Sequence, residues 1–238
     1  MHIERILHSQ GFGSRKLCRA LVRAGRVTVA GAPVDDPFAD FPTAGLAFTV
    51  DDDPWQFRDK ASLMLHKPCG YECSQQPQFH PPVFALLPEP LARRGVQCLG
   101  RLDQDTSGLL LLSDDGQFIH TWSSGKKRVP KVYEVSLRHA VSEALIDALR
   151  DGVQLHDEPG PIRAAFCSAT GERSLRLTIT EGKYHQVKRM VAAAGNRVEA
   201  LHRSAVGGLV LPADLAPGEW RWLDAADIAR LADFPAIP

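Results

Sequence analysis

Gly100-Arg101-Leu102-Asp103-Gln104-Asp105-Thr106-Ser107-Gly108-Leu109-Leu110-Leu111-Leu112-Ser113 is the stretch on which the reading of this chain turns. Residues 108–113 form an unbroken apolar run of strand length, which predicts a strand buried on both faces. Asp114-Asp115-Gly116 turns the chain after it, and a helix is expected from about Gln117 to Ser123. Ahead of the run lies a short polar loop, bracketed by Gly100 and Gly108 and carrying two carboxylates. A loop that enters a core strand is held rigidly, which is how a catalytic carboxylate is positioned. A plainer account also fits: Asp103 and Asp105 as turn residues that bond their own backbone. The loop has no glycine-rich phosphate cradle, no Ser/His/Asp order and no second carboxylate at a fixed spacing. On the residues alone the plainer account is preferred.

Working outward, Ser62-Leu63-Met64-Leu65-His66 reads as a strand and Lys67-Pro68-Cys69-Gly70-Tyr71 as a loop. Pro81, Pro82, Pro88 and Pro90 break the next stretch into short helices around 84–87 and 90–94. Beyond the central run, residues 131–137 alternate with Tyr133, Val135 and Leu137 on one face, and Leu175, Leu177 and Ile179 alternate again. Ser142 caps a helix to about Arg150, residues 185–194 form a helix closed by Gly195, and strands follow around 198–205 and 219–223. Asp224 caps a terminal helix. Strands and helices mix without a regular repeat, which argues for an α+β domain with a mixed, mainly antiparallel sheet.

The N-terminal end is organised by charge. Within residues 1–30, Arg5, Arg15, Lys16, Arg19, Arg23 and Arg26 stand against Glu4 alone, and residues 31–53 then supply six aspartates and no base. Ile3, Ile6 and Leu7 mark a first helix. A second begins at Ser14, a good N-cap, and runs to Gly25, with Leu17, Leu21 and Ala24 expected on one buried stripe. Residues 27–29 and 32–34 read as a short hairpin, and residues 45–61 as a last strand and a linker. Five bases around one helix suit phosphate contact better than a merely solvated face.

The whole chain, by contrast, is neutral: 28 Lys+Arg against 28 Asp+Glu in 238 residues, with 44% hydrophobic and 24% charged residues. That composition excludes global disorder and leaves room for local basic patches. No apolar run approaches the roughly 18 residues of a membrane helix, and Met-His-Ile-Glu-Arg is not a signal region. The five scattered cysteines fit a reducing cytosol and mostly inert thiols. Cys69 and Cys73 lie four apart, and with His66 and His80 they do not make a metal-site pattern, so no metal is expected.

A resemblance now gathers these segments. Residues 3–34, with Gly13-Ser14-Arg15, Gly25-Arg26-Val27-Thr28-Val29 and Gly31, resemble an S4-type RNA-binding domain. Residues 100–112 are similar to the active-site signature of the RsuA/RluB-like pseudouridine synthases, in the form that acts on the small ribosomal subunit. Residues 67–74 resemble that family's Lys-Pro-x-Gly-Tyr segment, with Glu72 where an apolar residue is usual. Lys131-Val132-Tyr133 resembles its Lys-x-Tyr segment, and residues 181–190 its late basic motif. Leu201-His202-Arg203 and residues 215–220 are similar to its C-terminal segments. Together they span nearly the whole chain.

The resemblance implies an S4-like (αL) RNA-binding domain and linker over 1–58 and a pseudouridine synthase catalytic domain over 59–238. It implies an isomerase that breaks the bond from ribose C1′ to uracil N1 and rejoins the base through C5, with no cofactor. By family position Asp103 is the catalytic carboxylate, Lys188 lies beside it, and Tyr133 offers a ring to the uracil and a phenol near C5. RNA contacts are expected from Ser14, Arg15, Lys16, Arg19, Arg23 and Arg26, and from Arg101, Lys183 and Arg189. The expected partner is small-subunit (16S) rRNA, as free RNA or an assembly intermediate, at a uridine of the 516 type. The protein is expected to act as a cytoplasmic monomer away from membranes. The alternatives are a large-subunit (23S) rRNA synthase of the same superfamily and a non-catalytic S4-type RNA-binding protein. A carboxylate-dependent glycosidase or nucleoside hydrolase fits less well, because no partner carboxylate is evident.

Overall fold

In a computed structural model describing residues 1–234, packing divides the chain into two units: Met1–Ala61 with Phe84–Gln97, and Ser62–Val83 with residues from Cys98 on. The first unit opens with α1 (Ile3–Ser9), which buries Ile3, Ile6 and Leu7. Helix α2 (Arg15–Arg23) starts where expected, with the Ser14 hydroxyl accepting the Leu17 N–H. It ends in a paired-carbonyl cap, Gly25 N–H to Val22 and Arg26 N–H to Leu21, with Gly25 left-handed. Its buried stripe is Cys18, Leu21 and Val22, while Leu17 is 42% exposed. The expected Leu17–Leu21–Ala24 stripe is thus rotated, because α2 packs across α1 on its Cys18 side.

Strands β1 (Val27–Val29) and β2 (Ala32–Pro33) form the expected hairpin. The stretch read as one strand and a linker is instead a second hairpin, β3 (Ala47–Val50) and β4 (Asp53–Gln56), giving the order β2-β1-β3-β4. Asp51 and Asp52 turn it with φ of 54° and 67°, so no glycine announces the turn. Residues 84–97 also belong to this unit rather than to the catalytic domain to which the sequence reading gave them. Their helix α3 (Glu89–Arg93) lies so close to Gly11 that a side-chain carbon there would sit 1.9 Å from the Pro90 carbonyl oxygen. Arg94 donates to Gln10 Oε1 and to the Asp59 carbonyl, both at 2.8 Å.

The second unit is one large sheet. Its chain order is β5 (Ser62–Lys67), β6 (Gln97–Cys98), β7 (Thr106–Ser113), α4 (Gly116–Ser123), β8 (Lys131–Leu137) and α5 (Glu143–Asp151). Then come β9 (Phe166–Gly171), β10 (Ser174–Ile179), α6 (Gln186–Ala193), β11 (Val198–Val206), β12 (Leu209–Val210), β13 (Trp220–Trp222) and α7 (Ala225–Ala232). Strands β9 and β12 were not anticipated. The main path is β13-β5-β7-β11-β8-β10-β9, and every neighbouring pair is antiparallel except β7 with β11. The mixed, mainly antiparallel sheet is the one the sequence predicts.

Leu109 to Leu112 are at most 1% exposed, and truncating any one of them to alanine should cost about 2–5 kcal/mol. Cross-strand register sets Lys67, Gly108, Arg203, Tyr133 and Leu177 in a single row across the sheet. Gly108 must be glycine: φ is +111°, and an added carbon would lie 2.3 Å from the Arg203 carbonyl oxygen. Among the described residues, no helix is long and apolar enough to cross a membrane.

Candidate active site

The loop ahead of β7 is folded around an ammonium group. Lys67, the last residue of β5, is fully buried. Its Nζ donates to the main-chain carbonyls of Pro68 (3.0 Å), Asp103 (3.0 Å), Gln104 (3.3 Å) and Thr106 (2.9 Å). Burial pushes this ammonium below the usual lysine range, and negative charge on Cys73, Cys69, Asp105 and Asp103 acts against that. The carbonyl dipoles replace the water the cation has lost. Gly70 N–H and the Cys69 thiol donate to Gln104 O (2.7 Å) and Asp105 O (3.3 Å), so the main chain of the loop is pinned from beneath.

Helix α6 supplies the groups that meet the loop's carboxylates. Lys188 Nζ donates to Asp103 Oδ2 at 2.9 Å and to Asp105 Oδ1 at 2.5 Å, and His185 Nε2 lies 3.3 Å from Asp103 Oδ1. Burial alone would lower the Lys188 pKa; the hydrogen bonds and charges of Asp105 and Asp103 outweigh it, and the pKa is raised. Lys188 is therefore a fixed cation at neutral pH. Asp105 shows the complement: burial would raise its carboxyl, but Lys188 holds it below the usual range. His185 stands at the N-cap of α6 in the left-handed conformation, and the Tyr184 ring stacks on its imidazole, centroids 3.9 Å apart and planes 18° apart. Tyr184 is 75% exposed, an aromatic platform open to a base.

Tyr133 makes no hydrogen bond to Asp103 or Lys188. It is 7% exposed, placed by β8 opposite Arg203, which in turn faces Gly108, and among the described residues its hydroxyl has no partner. Arg203 is buried with Nε on the Leu109 carbonyl at 2.8 Å. The other edge of the loop carries a thiol pair that sequence reading took as inert. Cys98 donates to Cys73, which also receives the Leu102 N–H, and these bonds pull Cys73 down to about 6 against its burial while Cys98 is pushed up.

The nine candidate RNA contacts separate into two groups. Arg19 Nε donates to buried Glu4 at 2.6 Å, with its guanidinium 5.2 Å from the Phe38 ring centre, and Arg26 holds Asp51 in a two-pronged pair. Lys183 pairs with Glu158 at 2.6 Å and Arg189 with Asp157 at 3.3 Å. Ser14 serves as the cap of α2. Arg15, Lys16, Arg23 and Arg101 are exposed and form no ion pair among the described residues.

A fixed cation beside a loop carboxylate, with an exposed aromatic ring stacked on the neighbouring His185, is what N-glycosidic chemistry on a base needs. The family model for RNA pseudouridylate synthases matches residues 61–193, which contain all of these groups. The chain belongs to that family. It is an isomerase of the pseudouridine synthase class, and the S4 domain model matches residues 3–37 of its first unit. Among similar proteins, those of Yersinia pestis and Escherichia coli strain K12, both called ribosomal small subunit pseudouridine synthase A, are 41% identical over 233 residues. The alignments cover 97% of this chain and 98% and 100% of theirs. An uncharacterised RNA pseudouridine synthase of Bacillus subtilis is 38% identical over 97% of this chain and 98% of its own. A crystal structure of a pseudouridylate synthase superposes with a TM-score of 0.69 at 33% identity, over 98% of this chain and 100% of that one.

Within this synthase, three features of the site lay beyond sequence reasoning. Lys67 and His185 fall in motifs that were recognised, but nothing in the residues says that one clamps carbonyls and the other touches Asp103. The Cys73–Cys98 contact joins residues 25 apart with no motif between them, and only the fold brings them together.

Proposed function

We propose that this synthase isomerises a specific uridine of small-subunit (16S) rRNA, at a site of the 516 type, with Asp103 as the carboxylate at ribose C1′. The reaction breaks C1′–N1, forms C1′–C5, takes a proton from C5 and returns one to N1; it needs no oxidant and no cofactor. Cleavage builds positive charge on the sugar, which an ionised carboxylate held against C1′ stabilises. The observation that carries this reading is the Lys188–Asp103 contact at 2.9 Å, made on a loop whose main chain is clamped by Lys67. Lys188 pairs with Asp103, and the ring of Tyr133 lies against the uracil with its unpartnered hydroxyl near C5.

Arg15, Lys16 and Arg23 of the S4 domain and Arg101 beside the loop contact phosphates. Arg19, Arg26, Lys183 and Arg189 join them by exchanging their carboxylate partners, and Ser14 lends its hydroxyl proton. The small-subunit target is supported by relatives of that name at 41% identity over 97% of the chain. The enzyme works as a cytoplasmic monomer on free RNA or an assembly intermediate. A uridine in a loop is the expected target, since extruding it from a stack costs a few kcal/mol.

The test is a map of pseudouridine in rRNA from cells with and without the protein, complemented by wild type or by Asp103→Asn. The expected result is one 16S position that loses its pseudouridine and regains it only with wild type. A lost position in 23S rRNA instead would overturn the small-subunit target, and restoration by Asp103→Asn would remove Asp103 from the chemistry.

A further inference from the structure

Two basic stretches of the sequence, 123–138 and 181–203, are each far from neutral. Folding engages five of their ten bases with carboxylates or main-chain carbonyls. Lys183, Lys188 and Arg189 are paired with carboxylates, and Lys131 and Arg203 are turned inward onto main-chain carbonyls. Of the rest, Lys127 lies over the Trp122 ring, and Arg138 and Arg197, one from each stretch, are brought together by the sheet. The Arg138 N–H donates to the Arg197 carbonyl at 2.9 Å, and the Leu137 N–H donates to the Arg173 carbonyl at 2.8 Å. The three arginines and Glu199 surround an open recess of about 460 Å³ floored by buried Leu137.

The frame of this recess is stiff. Asn196 ties its two turns together: Oδ1 accepts from His139 N–H (3.2 Å) and Arg197 N–H (2.7 Å), and Nδ2 donates to His139 O (3.2 Å). The only carboxylate on the lining, Glu199, reaches Arg197 at 3.9 Å, and among the described residues Arg138 and Arg173 have no ion-pair partner. The position is informative too. In the parallel pair Leu201 lies opposite Thr106, so Arg197, four residues earlier, stands about 13 Å further towards the end of the sheet from which the catalytic loop enters β7. Leu137 lies opposite Val198, and Ser174 opposite Ser136, so Arg138 and Arg173 share that end. Three guanidinium forks on a rigid frame, with one weakly held carboxylate among them, match the oxygens of a phosphodiester chain.

We propose that Arg138, Arg173 and Arg197 form a phosphate-binding recess that holds the RNA strand flanking the target uridine. This rests on the reading of the chain as an rRNA synthase, and it adds a second anchoring surface, in the catalytic unit itself. The three arginines fix the strand's path at the catalytic end of the sheet; they touch no reacting atom.

The experiment uses the full chain and an in vitro transcript of 16S rRNA, comparing wild type, the triple variant Arg138→Gln/Arg173→Gln/Arg197→Gln, and Glu199→Gln. For the triple variant the dissociation constant should rise about 10- to 100-fold. The slope of log K against log salt should fall by about 2, from three lost contacts at roughly 0.7 each on single-stranded RNA. The single-turnover rate at saturating enzyme should stay within about twofold. Glu199→Gln should tighten binding about 2- to 5-fold. Unchanged affinity and slope in the triple variant would overturn the recess while leaving the synthase assignment intact. Wild type that binds the transcript but forms no pseudouridine in it would overturn the 16S reading, and the recess would then stand or fall on the binding series alone. All three arginines are exposed, so a triple variant that loses its thermal unfolding transition would itself contradict their placement at the surface.

Discussion

Lys67 and Lys188 grip the same loop with the same chemical group, one by its main chain and one by its side chains, and the two grips have opposite physics. Lys67 is sealed from water and spends its donors on neutral carbonyls, so its charge is held at a disadvantage and its pKa falls. Lys188 is partly exposed and spends its donors on two carboxylates, so its charge is favoured and its pKa rises. The first arrangement fixes where the main chain goes. The second joins a cation to the loop's two carboxylate side chains. The two lysines that meet this loop thus differ according to whether they face dipoles or anions.

The comparison breaks most completely at Asp103, the residue both lysines serve. Asp103→Asn keeps the shape and removes the charge; isomerisation of a 16S transcript should fall below detection while RNA affinity stays within about twofold. Lys188→Met comes next, with a single-turnover rate lower by about 10²- to 10³-fold and a thermal midpoint near that of wild type. Lys188→Arg should keep much more of the rate, with some loss to the larger planar group.

The sign of the Lys188 shift adds a pH test. Its folded pKa lies above the ordinary lysine value of 10.5, so the ion pair is complete below that value and is lost only as pH climbs through the raised pKa. Between pH 7 and about 9.5 the wild-type rate should show no descending limb from this group. A descending limb that disappears in Lys188→Arg would contradict a permanently charged Lys188.

Lys67→Met should reverse the pattern. Its carbonyls lose their donor at about 1–3 kcal/mol, or roughly 2–10 °C in thermal midpoint for a chain of this size. The rate should fall because the loop loosens, with RNA affinity unchanged. Asp105→Asn should be milder still, a few-fold in rate, since Lys188 keeps Asp103. Smallest in its effect on chemistry is the triple Arg15→Gln/Lys16→Gln/Arg23→Gln. Saturated rate should be unaltered, and the salt slope of binding should drop by about 2. Deleting residues 1–58 is a poor substitute, because 84–97 pack with that unit and would lose their partners.

What could be read in the residues was whatever local pattern determines. The Leu109–Leu112 run, the Ser14 and Ser142 caps and the alternation of 131–137 all lie where expected, because caps and periodicity are set within a few residues. The β3–β4 hairpin was missed because aspartates, not glycine, occupy its left-handed positions. The attachment of 84–97 to the first unit was missed because nothing local records the close approach of Pro90 to Gly11. At the site, Asp103, Tyr133 and Lys188 were named through family motifs, whereas the loop by itself favoured a turn role for its aspartates. The pairings that fix charge and geometry join residues 36 to 94 positions apart, and such distances leave no trace in sequence.

The parallel pair on the main path of the sheet, β7 with β11, bears on how the enzyme comes into being. Strand β7 is complete by residue 113, but its parallel partner begins at 198 and Lys188 lies just before it. A growing chain that has just made Asp103 must therefore extend by a further 85 residues before the cation that pairs with it exists. Closing so long a loop is slow compared with forming the local hairpins. Partial products of translation, and chains truncated before α6, would hold RNA through the S4 domain yet be unable to modify it. The Lys188–Asp103 pair forms late, when the last third of the chain docks.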